Sequence, residues 1–223
     1  MGILKKLFTL AVGVICLPLT ITISRAFYNR LPDLSLDSKD QQYFLWGVFS
    51  YAALHLFIFK PHFVYNLGHE VVHVFSTWLS FGKAKNLKAS GEGGSVRTTK
   101  SNFFINISPY FIPVYTLILC LAYFLLEKFG DASPYAAYFV FFIGFTLAMH
   151  IIMTVDSLKV SQPDLIKTGY LFSLSLIYVI NIIVVGFVIS LIFSGFSFSA
   201  FFLDFCEQTR GAYTLIFSQL FGA

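Results

Sequence analysis

The sequence predicts an all-α polytopic membrane protein of about six transmembrane helices, with a short cytoplasmic β-hairpin after the third. Three observations predict it. The chain of 223 residues is 57% hydrophobic and 12% charged, with 28 Phe, more apolar surface than a soluble domain of this length can hide. Apolar runs of about 20 residues, the length that crosses a bilayer, recur along it. The connections between them are short, which leaves no room for a soluble regulatory domain. One membrane-embedded domain over 1–223 is the economical reading, and the lipid bilayer is its first partner.

The first run, about 7–24, lies between Lys5-Lys6 and Ser24-Arg25-Ala26. That pattern is shared with signal peptides, but the run is long enough to span and reads as a retained helix. Runs at about 43–59 and 63–81 follow. The segment 82–102 alternates through Lys83-Ala84-Lys85-Asn86-Leu87-Lys88, turns at Gly91-Glu92-Gly93-Gly94, and extends through Ser95-Val96-Arg97-Thr98-Thr99, which predicts a hairpin with a glycine turn. Further runs lie at about 103–126, 135–155 and 169–194. The tail, 195–223, is aromatic but interrupted by Asp204, Glu207 and Arg210, which suits an interfacial or re-entrant segment.

The positive-inside rule places the hairpin, with Lys83, Lys85, Lys88, Arg97 and Lys100, in the cytoplasm. Six alternating spans then put both termini outside. They also bring Arg25, Arg30, Lys39, Lys159 and Lys167 to the cytoplasmic face, so ten of the fifteen basic residues lie there, although Lys5 and Lys6 count against it. The net charge of +4 is spread over these flanking loops, so it argues for topology and not for nucleic acid. Cys16, Cys120 and Cys206 are far apart; they offer neither a disulfide framework nor a CxxC metal site.

Chemistry concentrates in the third run, where His69-Glu70-Val71-Val72-His73 forms an HExxH motif. Histidines four apart share one helical face, so both imidazoles can reach one zinc ion. The intervening glutamate is placed to take a proton from an activated water. With five His and four Glu in the chain, chance produces this motif in roughly one such sequence in 500. A glutamate inside a membrane helix costs on the order of 3 kcal/mol to insert, which argues for a role. A buried polar trio satisfied by neighbouring helices is the plain alternative.

Catalytic zinc takes three protein ligands and a water. The third has to come from elsewhere in the chain. His150 sits in the fifth run, Asp156 follows it in Met153-Thr154-Val155-Asp156-Ser157, and Asp164 stands in Gln162-Pro163-Asp164-Leu165. Asp164, behind a proline, also reads as a helix cap. Spacing does not choose among the three. In the fourth run, Asn102 and Asn106 precede Pro109 and Pro113. They could hold an oxyanion or an unwound substrate backbone, or simply pack the kinked helix. The hairpin, through Gly93 and Gly94, could pair its free edge with a substrate strand, or serve as a basic loop that fixes topology.

An HExxH in a membrane helix, a glycine-rich hairpin and a downstream carboxylate together resemble the site-2 protease group, the M50 family of intramembrane metallopeptidases. The likeness is nearest to its compact bacterial M50B-like branch. The resemblance implies a metallopeptidase-like core over 61–194, with 1–60 as two accessory spans. It implies zinc held by His69, His73 and a downstream aspartate, with Glu70 as general base. Asp164 in Gln162-Pro163-Asp164 is the nearest match to the family's aspartate motif, with Leu165 where glycine is expected. The implied activity is hydrolysis of a peptide bond in or near a transmembrane segment of a membrane-protein substrate. The implied location is the bacterial inner membrane. A catalytically inactive scaffold subunit of a membrane complex is the alternative, and a transporter is disfavoured by the lack of repeat symmetry.

Overall fold

The computed structural model describes residues 3–160 and 163–222, without the side chains of Lys5, Lys6, Pro163, Asp164 and Lys167. It is mostly helical. The helices are α1 (Ile3–Arg30), α2 (Lys39–Phe57), α3 (His62–Leu79), α4 (Phe103–Ile107), α5 (Val114–Phe129), α6 (Ala136–Leu158), α7 (Pro163–Thr168), α8 (Tyr170–Ile192) and α9 (Phe198–Phe221). Strands β1 (Ala84–Ala89) and β2 (Gly94–Thr98) form the antiparallel hairpin expected after the motif.

Three segments are each long and apolar enough to cross a bilayer: Leu7–Asp33, Ser133–Leu158 and Tyr170–Ile192. Two bent pairs meet that condition only when joined: α2 with α3, bent by 119°, and Phe103–Tyr110 with α5, bent by 76°. By length and composition, the described residues thus offer three spans, or up to five if each bent pair counts as one. The breaks fall at prolines, Pro61 in the first and Pro109 and Pro113 in the second. A proline lacks an amide N–H and clashes with the preceding turn, so the helix cannot run through. Large apolar side chains such as Trp46, Phe49, Phe75 and Trp78 face outward, as lipid contact requires.

The chain divides into two compact units. One comprises 1–35 and 165–223. Within it α1 lies along α8 and α9, joined by Ser24 to Tyr178 (2.7 Å) and Thr22 to Thr209 (2.9 Å). The tail expected to be interfacial is the 24-residue helix α9, which carries Asp204, Glu207 and Arg210.

The other unit, 36–164, holds the HExxH motif. Ser38 and Gln41 start α2 with a reciprocal capping box, which satisfies two otherwise unpaired amides. Helices α2 and α6 then pack with their backbones in contact. Gly47 lies on the Phe141 carbonyl and Gly144 on that of Phe44, and a Cβ at either site would overlap the facing main chain. Further along, Tyr51 meets Phe145 at 5.2 Å between ring centres, and His55 meets Asp156. From Gly47 on Phe141 through Tyr51 on Phe145 to His55 on Asp156 the residue numbers rise together, so α2 and α6 are parallel. Helix α5 runs the other way, with Thr116 on Thr146 (3.1 Å) and Tyr123 on Phe139 (5.2 Å).

This arrangement corrects the expected alternation of six straight spans, which would make α2 and α6 antiparallel. Lys60 and Lys159 both bind Asp156 at 2.6 Å, so they sit at one end of the unit, whereas the alternating scheme puts them on opposite faces. Lys39 starts α2 at the other end. The segment from α3 through the hairpin to α4 is therefore an excursion. It leaves at the end of α2 and comes back beside its own start, where Tyr115 at the head of α5 donates to the Val64 carbonyl (2.6 Å).

Candidate metal centre

Helix α3 presents Tyr65, Gly68, Glu70, Val72, His73, Ser76 and Thr77 to the interior and Phe63, Val71, Phe75 and Trp78 outward. A helix of 3.6-residue period puts positions 69 and 73 one above the other. Their rings meet edge to face with centres 4.9 Å apart. Tyr110, fully buried, packs its ring 5.0 Å from His69 on the other side. Absence of a side chain at Gly68 lets Tyr115 and Val114 of α5 press against α3 beside the motif.

The two histidines are held differently. Nδ1 of His73 lies 2.9 Å from the Ile105 carbonyl oxygen. A carbonyl only accepts, so Nδ1 carries the hydrogen, and in the neutral ring the lone pair sits on Nε2. This is the outer contact by which a metal-binding histidine is oriented. Nδ1 of His69 is buried without a hydrogen-bond partner, a costly condition that a metal or an ordered water would relieve. His69 also lines a cavity of about 20 Å³, enough for one water, together with Tyr65, Tyr115, Met149 and His150. These features fit a zinc ion: paired imidazoles, one with its tautomer set from outside, beside a space of water size.

Of the sequence's three choices for a further ligand, His150 is brought to this cavity by α6. Asp156 is not. Its carboxylate accepts from His55 Nε2 (3.1 Å), Lys60 Nζ and Lys159 Nζ (both 2.6 Å), and Tyr51 closes the chain on His55 Nδ1 at 3.2 Å. A carboxylate this fully engaged serves the junction of α2, α3 and α6. The side chain of Asp164 lies outside the described residues. Among the described residues no three His, Cys, Asp or Glu side chains come together as a metal-binding group.

Glu70 is buried at 6% exposure. The hairpin folds back along α3, with Asn66 Nδ2 donating to the Ser90 carbonyl at 2.9 Å, and this lays Gly94 directly on the Glu70 side chain. The turn uses its glycines: Ser90 N–H donates to the Gly93 carbonyl (2.8 Å), and Gly93 has φ of +158°, a region open to glycine. Asn86 adopts φ of +55° at the irregularity between Lys85 and Lys88, a bulge that asparagine tolerates. Two asparagines considered for substrate are engaged within the fold. Asn102 caps α4 through Ile105 N–H (2.8 Å) and donates to Ser80 Oγ (3.1 Å); Asn106 accepts from Ser101 Oγ at 3.2 Å. Sequence reasoning missed Tyr110. The signal was its place in Ser108-Pro109-Tyr110, where the broken helix turns back on α3.

Compared with known proteins, the chain matches no family model, no curated protein and no solved structure. The likeness to site-2 proteases therefore rests on its motifs.

Proposed function

We propose that this protein is an intramembrane zinc metallopeptidase that hydrolyses a peptide bond in or near a transmembrane segment of another membrane protein. One observation carries the reading: the rings of the two motif histidines meet on α3, with His69 lining a water-sized cavity and His73 turned by the Ile105 carbonyl. A structural packing role would ask for both ring nitrogens to be satisfied, and Nδ1 of His69 is not. His69 and His73 would hold the zinc, with Asp164, the aspartate the resemblance implies and whose side chain lies outside the described residues, as third donor. Bound zinc would lower the pKa of a water towards 7 and polarise the scissile carbonyl.

The chain's own groups supply the rest. Glu70, buried and on the same helix, takes the proton from water and returns it to the leaving amine. Tyr110 and Tyr65 pack their rings against His69. The hairpin, through Gly93 and Gly94, offers an extended edge to a substrate segment whose helix has unwound. Location in a bacterial inner membrane follows from the family likeness. The second reading, a non-catalytic scaffold, draws on Asp156 being engaged away from the histidines.

Zinc content tests the proposal. Purified wild type should carry about one zinc per chain, the usual stoichiometry of such a site. His69→Ala and His73→Ala should lose it, and so should Asp164→Ala. Asp156→Ala should keep it. A well-folded wild type without zinc would overturn the reading in favour of the scaffold.

A further inference from the structure

Gly94 opens β2 at the point where the hairpin crosses the motif helix. A Cβ there would stand 2.5 Å from Glu70 Cγ, 2.7 Å from Oε1 and 2.9 Å from Cδ. Real Cβ atoms do not approach other atoms so closely, so any side chain at 94 must displace the glutamate. The rest of the turn is unlike this. A Cβ at Gly91 meets nothing within 4 Å. The backbone of Gly94 pairs with Ala89 across the hairpin, and the hairpin is tied to α3 by Asn66, so the main chain at 94 is held from two sides. Glu70 is the softer partner, because its carboxyl is the far end of a flexible side chain.

We infer that Gly94 is a positioning residue for Glu70: its bare main chain forms the wall against which the general base is set, and it is glycine because the carboxyl occupies the space a side chain would fill. The inference rests on the metallopeptidase reading. It has a consequence that a purely structural glycine lacks. Since Glu70 yields before the backbone does, Gly94→Ala should cost little stability and much rate. A carboxylate moved by about 1 Å from its working position can cost on the order of 100-fold in turnover.

The test uses the full-length protein in detergent and a fluorophore-labelled model peptide, an apolar span of about 20 residues interrupted by Asn-Gly. Gly94→Ala should keep its zinc and its Tm and lower kcat by at least tenfold. Gly91→Ala should match wild type throughout. Three results would overturn the inference: Gly94→Ala turning over at the wild-type rate, a fall in Tm that accounts for the lost activity, or a change confined to KM. Wild type that binds zinc and hydrolyses nothing would instead sink the peptidase reading itself, and the inference with it.

Discussion

His73 and Asp156 illustrate how two polar side chains of one unit are put to different uses. The His73 ring is oriented by the Ile105 carbonyl. Asp156 is surrounded by donors, His55, Lys60 and Lys159, and a carboxylate so satisfied has little left for a metal. Asp156→Ala leaves His55 without its partner, a loss of about 1–2 kcal/mol, and Tm should fall by roughly 3–6 °C in a chain of this size while zinc is retained. Loss of zinc from this variant would place Asp156 at the metal after all. Glu70→Gln replaces a carboxylate with an amide of the same shape, so it should keep zinc and lose hydrolysis. The sequence already displayed the HExxH spacing, because one helical turn is encoded locally. It could not show that His150 and Tyr110 join the motif, since those contacts depend on how α6 and the Pro109–Pro113 break pack against α3.

At the scale of elements, the hairpin was legible and the helix directions were not. Alternation through 83–88 and the glycines at 91, 93 and 94 are local signals for strands and a turn, and β1 and β2 lie where they indicate. The parallel course of α2 and α6 depends on Gly47 and Gly144, two small residues distant in sequence that let two backbones touch. Gly144→Leu forces these helices apart and should destabilise the protein by about 3 kcal/mol or more, seen as a clear loss of Tm; an unchanged Tm would mean the helices do not meet there. Sidedness follows from the same pairing. Lys60→Cys and Lys159→Cys should react with an impermeant thiol reagent from one membrane face, and Asp131→Cys, at the turn between α5 and α6, from the other. Labelling of positions 60 and 159 from opposite faces would restore six alternating spans.

For the molecule as a whole, composition announced a helical membrane protein, because the amount of apolar surface is a bulk property that needs no knowledge of contacts. The excursion of α3, hairpin and α4 explains how a polar site can be built in such a protein. Irregular backbone at membrane depth is tolerated where protein buries it, and here the break at Pro113, the hairpin and α6 enclose the motif. The chemistry proposed for this enclosure is metal-dependent hydrolysis with Glu70 as base. Cleavage of the model peptide before chelation, after chelation and after addition of zinc, for wild type and for Glu70→Gln, tests it most directly. Wild type should cleave, stop on chelation and resume with zinc, while Glu70→Gln should bind zinc and never cleave. Cleavage by Glu70→Gln at the wild-type rate, or cleavage indifferent to chelation, would contradict it.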